Sequence, residues 1–73
     1  MSRSQFHVVP ENDRWKVEWY GHHSTDHESQ ADAVEAAVAE ADKTRPAEVI
    51  VHGSDGRITD EMTYDSEPPP PSG

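Results

Sequence analysis

The sequence predicts a small α+β domain of the form ββαββ: an antiparallel sheet, one helix packed on one of its faces, and a disordered proline-rich tail. Three observations predict it. Short runs near both ends of the chain alternate apolar and polar residues with period two, as half-buried strands do. A longer run between them repeats its apolar residues at helical spacing. The chain closes on Pro68-Pro69-Pro70-Pro71, which has nothing to pack.

Phe6 to Val9 reads as the first strand, with Phe6 and Val8 on one face and His7 and Val9 on the other. Pro10 is expected to end its pairing, because proline cannot donate to a ladder. Glu11 to Arg14 is a polar turn. Trp15 to Tyr20 alternates most cleanly: Trp15, Val17 and Trp19 share one face, and Lys16, Glu18 and Tyr20 point away. Gly21 to Glu28 reads as a polar loop containing His22, His23 and His27.

Ser29 is the expected N-cap, with Asp32 three residues on in the manner of a capping box. From Gln30 to about Lys43, Ala31, Val34, Ala37, Val38 and Ala41 fall on one helical stripe, and Asp32, Glu35, Ala36, Ala39 and Lys43 fall opposite. An alanine stripe lets the helix sit close to the sheet, and the tryptophans of the facing strand supply the bulk that alanines lack. Pro46 keeps the helix from continuing through Thr44 and Arg45.

Glu48 to His52 is the third strand, with Val49 and Val51 on one face and Ile50 and His52 on the other. Gly53 to Gly56 is a tight turn, with Gly56 expected at positive φ and Asp55 bonding through its side chain. Arg57 to about Thr63 is a weaker fourth strand whose apolar members are Ile58, Met62 and, just beyond, Tyr64. The domain therefore spans residues 5–64, and residues 65–73 form a tail with polyproline II character. A fully antiparallel sheet in the order 2-1-3-4 would bring the start of the first strand opposite the end of the third. His7 and His52 would then meet on the uncovered face, beside Val9 and Ile50.

His7-Val8-Val9-Pro10, Trp15-Lys16-Val17, the alanine-rich helix, and Ile50-Val51-His52-Gly53-Ser54-Asp55-Gly56-Arg57-Ile58 together resemble the small bacterial and archaeal family called domain of unknown function 2188. The resemblance covers roughly residues 6 to 64 and is most specific in the stretch from His52 to Ile58. Family members usually carry a glycine where Arg14 stands. The resemblance implies a compact α+β domain and brings no activity, substrate or catalytic residue with it.

Composition narrows the function. At 73 residues the chain is one domain, and a chain this short buries only about 60% of the surface its unfolded form exposes. With no cysteine it has no disulfide, thiolate site or cysteine nucleophile. No apolar run approaches the roughly 18 residues of a membrane span, and Met1 to Gln5 lack a signal-peptide core, so a cytoplasmic protein is expected. Fifteen acidic residues face six Lys and Arg, for a net charge of −9. Such a surface repels phosphate backbones, which argues against nucleic acid. It resembles the acid-rich, lysine-poor surfaces of salt-loving archaea.

The five histidines raise metal chemistry. His22, His23 and His27, with Asp26 and Glu28 nearby, offer imidazole and carboxylate ligands that suit zinc, nickel or copper, but their spacing matches no zinc pattern. No metal or cofactor is therefore expected. Gly53 to Arg57 lacks the following helix that a phosphate-cradling loop needs. Ser24, Asp26 and His27 have the residue types of a hydrolytic triad without its geometry. Trp15 and Trp19 could stack on nucleic-acid bases, but their phase with Val17 places them in the core. What remains is an interaction face of Val9, Tyr20 and Ile50 with His7 and His52. These residues predict a non-enzymatic domain that works by association, as a homodimer or with a protein partner. A nucleic-acid module would instead gather Arg3, Arg14, Lys16, Arg45 and Arg57 on one face, and a protein that binds a metal or small ligand would use its histidines.

Overall fold

A computed structural model describes residues 3–19 and 23–65. Tyr20, His22 and the tail beyond Asp65 lie outside those residues. The chain runs β1 (Ser4–Glu11), β2 (Arg14–Trp19), β3 (His23–His27), α1 (Gln30–Lys43), β4 (Ala47–His52) and β5 (Ile58–Tyr64). The strands form one sheet in the order β3-β2-β1-β4-β5.

The expected order of the four apolar strands holds, but two features differ from the sequence reading. The stretch expected to be a loop contains a fifth strand, β3, paired antiparallel with β2 from Trp15↔His27 to Trp19↔His23. The sheet is also mixed, because β1 and β4 run parallel, with His7↔Ile50 and Val8↔Val51 in register. The second difference follows from the first. Each antiparallel strand reverses the chain, so inserting β3 ahead of the helix delivers β4 in the direction of β1. Pro10 does not end pairing either, since Pro10↔Trp15 and Glu11↔Arg14 continue the β1–β2 ladder. The β1–β4 register runs only to Val8↔Val51, so the proline sits in an edge-like stretch, where a missing donor is tolerated.

The helix begins as its sequence predicts. Ser29 is extended, and its Oγ accepts the Asp32 N–H at 3.1 Å. At the other end the Thr44 hydroxyl donates to the Glu40 carbonyl at 2.7 Å. The buried stripe is Ala33, Ala37 and Ala41, with Val34 and Val38 half-buried along its rim; Ala31, expected on the stripe, is exposed. The stripe is thus rotated so that its smallest side chains face the sheet centre. There Phe6, Val8, Val17, Val49 and Val51 fill the space between the layers. Trp15 and Trp19, expected in the core, pack against it only half-buried at its margin, and the Trp19 ring centroid lies 5.5 Å from that of Phe6.

Two hairpin turns among the described residues are built from residues suited to them. Asn12 takes φ 56°, a left-handed conformation that asparagine tolerates. Between β4 and β5, Gly56 takes φ 88°, and its N–H donates to the Gly53 carbonyl at 2.9 Å. Asp55 Oδ1 accepts the Arg57 N–H at 3.0 Å. Gly53 is buried, and a Cβ there would stand 2.9 Å from Thr59 Cγ2.

Candidate interaction face on the open sheet

The helix covers one face of the sheet, and the strand period places the remaining side chains on the other. Two adjacent rows cross this open face. The first runs Ser24, Glu18, His7, Ile50, Glu61, each a register partner of the next. The second runs Asp26, Lys16, Val9, His52, Ile58: register pairs join Asp26 to Lys16, Lys16 to Val9, and His52 to Ile58. The next step of the β1–β4 register sets Val9 level with His52.

Four of the five residues expected on this face are described, and all four lie there. Ile50 is only 7% exposed, although it lies outside the main core cluster. Val9, His7 and His52 are half-buried. The most exposed large apolar side chain among the described residues is Ile58, at 55%. The sequence reading took it only as a member of a weak strand, although its partnership with His52 puts it at the end of the second row.

At the centre of the face His7 Nδ1 lies 3.3 Å from His52 Nε2. The expected meeting of the two histidines therefore occurs, by a parallel register instead of an antiparallel one. The ring centroids are 5.6 Å apart with 30° between the planes. That separation is the nitrogen–nitrogen distance plus one centre-to-vertex radius of a five-membered ring at each end, so the rings meet end-on. His52 Nδ1 lies 3.1 Å from the Gly56 carbonyl, which ties the ring to the turn.

Lys16 is the cation in the rows, and its Nζ contacts Glu11 Oε2 at 2.6 Å. The hydrogen bond to Glu11 raises the Lys16 pKa above the usual lysine value. The charges of Glu11, Glu18 and Asp26 add to the rise, and desolvation opposes it. Arg3, Arg45 and Arg57 are likewise held by acids, at Asp65, Asp42 and Asp55. Arg45 also lies over the Tyr64 ring at 5.2 Å.

The other two described histidines do not converge. His23 and His27 sit four residues apart on β3, about 13 Å along a strand. They are the register partners of Trp19 and Trp15 and so share the helix-side face. His23 stacks on Trp19 at 5.6 Å, and His27 Nε2 meets Thr25 Oγ1 at 2.9 Å. Among the described residues, no group of three His, Cys, Asp or Glu side chains could hold a metal ion. On the helix side, a cleft open to solvent lies between the start of α1 and β5, lined by Val34, Glu35, Val51, Thr59 and Asp60. No described helix is long and apolar enough to cross a membrane.

The model of a family described as "Uncharacterized protein conserved in bacteria (DUF2188)" matches residues 6–64. The chain belongs to the DUF2188 family. The DUF2188 match runs from Phe6 in β1 to Tyr64 at the end of β5, and so includes both rows of the open face. Comparison with curated proteins and with solved structures gave no match.

Proposed function

We propose that this protein is a non-enzymatic module that works by association, and that its open sheet face pairs with the same face of a second copy. The observation that carries this reading is the self-complementarity of the two rows. Consider a two-fold axis in the plane between two such faces, running across the strands midway between the rows. It sets Lys16 against Glu18 of the second copy, Val9 against its His7, and His52 against its Ile50. Each contact occurs twice, as an isologous interface requires.

The size of the face bounds the affinity. Five strands, about 4.8 Å apart and about 20 Å long, present about 500 Å² per copy. About 1,000 Å² for the pair is at the threshold of a specific interface, so a weak, concentration-dependent dimer is expected. Pairing would also shield Val9 further and add apolar burial to a domain whose own core is small. The excess of fifteen acids over six bases fits a surface that works in concentrated salt, where the repulsion between two acidic copies is screened within a few ångströms.

Light scattering over a concentration series, in dilute and in molar salt, tests the reading. The expected result is a monomer–dimer equilibrium that tightens in molar salt. A strict monomer in both, up to about 1 mM, where even a dimer held by about 4 kcal/mol would be populated, overturns it.

A further inference from the structure

We propose that the His7–His52 pair is a proton-sharing switch, and that uptake of a proton by the pair releases the open face from self-association. The proposal rests on the face-to-face pairing above and names how that pairing is regulated.

The hydrogen bonds set the order of the protons. The Gly56 carbonyl can only accept, so His52 Nδ1, 3.1 Å away, carries a hydrogen. In the neutral ring, His52 Nε2 is then a bare acceptor. His7 Nδ1, 3.3 Å from it and end-on, donates. The neutral pair is thus a directed chain from His7 to His52 to Gly56, with both ring N–H groups satisfied inside the protein. Among the four ring nitrogens, His7 Nε2 is the one acceptor this chain leaves over.

One excess proton fits this arrangement and a second does not. Added at His7 Nε2, the first makes His7 an imidazolium whose Nδ1–H still donates to His52, and the bond becomes charge-assisted. A second proton would place a hydrogen on both nitrogens of the 3.3 Å gap, leaving two donors and no acceptor. The contact therefore holds one excess proton and excludes a second while the rings stay in place.

The surroundings set the sign of the effect on association. From β2, Glu18 stands opposite His7, and Lys16 lies diagonal to it, already committed to Glu11. From β4, Glu48 lies two residues before Ile50 on the same face, and from β5, Glu61 pairs with Ile50. Asp55 and Arg57 pair with each other in the adjoining turn. In the monomer these carboxylates and solvent accommodate a charged pair. In the two-fold dimer the rings face Val9 and Ile50 of the second copy, which offer the charge no partner. An internally satisfied neutral pair is cheap to bury there, whereas a charged one is not.

Two measurements test this on the full chain. Ring-nitrogen NMR of His7 and His52 between about pH 8 and pH 5.5, the interval in which histidines commonly titrate, should give two coupled steps, with hydrogens on His7 Nδ1 and His52 Nδ1 at the alkaline end. His7→Asn keeps a donor towards His52 without a titrating ring, and should leave His52 a single step. Light scattering over the same interval should show at least a tenfold weakening of the dimer on acidification, in step with the appearance of the added hydrogen on His7 Nε2 in the NMR series. Independent single-step titrations, or a dimer whose strength ignores pH, overturn the switch and leave the open-face interface standing. A monomer at every pH overturns that interface, and the switch with it.

Discussion

Ala37→Leu tests the packing that makes this sheet one-sided. Ala37 is fully buried at the centre of the helical stripe, between Ala33 and Ala41, which are also fully buried. Leucine and alanine have similar helix propensities, so the substitution isolates the space between helix and sheet. Three added carbons in a closely packed layer cost about 1–3 kcal/mol. For 73 residues, total stability is about 4–11 kcal/mol, so this is a large fraction of the whole. Ala39→Leu, on the exposed side of the same helix, supplies the control and should stay within about 0.5 kcal/mol of wild type. Urea unfolding followed by tryptophan fluorescence reads both, because Trp15 and Trp19 pack against the core. A lower midpoint at unchanged slope is the expected result for Ala37→Leu. Equal or greater stability than wild type would mean that helix and sheet do not make the close approach described here.

Three further predictions follow from local geometry. Gly53→Ala should destabilise through the 2.9 Å approach of its Cβ to Thr59 Cγ2; Gly53→Ala/Thr59→Ser should recover most of the loss in urea unfolding, since serine lacks that methyl. Ser29→Ala should cost about 1 kcal/mol by leaving the Asp32 N–H without its cap, and amide exchange should quicken selectively in the first turn of α1. The raised Lys16 pKa predicts stability that is fully present below the unfolded lysine value and lost as pH rises through the folded one. The wild type should therefore lose more stability than Lys16→Met above about pH 10.4, and parallel alkaline profiles would refute the linkage.

How much of this was legible depended on whether a residue's apolar neighbours reported its position. β1, β2, β4 and α1 alternate or repeat strongly, and their faces were readable down to the core tryptophans and the Ser29 cap. β3 was not. His23 to His27 is polar throughout and mostly exposed, so no apolar period marks it; Thr25, opposite Val17, is its sole strong strand former. Missing one strand inverted the inferred direction of β4. The meeting of His7 and His52 survived that error because both lie on the open face, and either strand direction brings them close. Ile58 went unnoticed as part of the face because its placement depends on the irregular register between β4 and β5 near His52.

Mixing two charge-reversed variants tests the open-face interface most directly. Lys16→Glu alone and Glu18→Lys alone each set like charges together twice across the two-fold axis, so each should remain monomeric at low salt. Combined in equal amounts, they should form a heterodimer at least as tight as the wild-type dimer, detectable by light scattering and by native mass spectrometry. Single variants that dimerise as well as wild type, or a mixture no more associated than its components, would contradict the pairing of these faces.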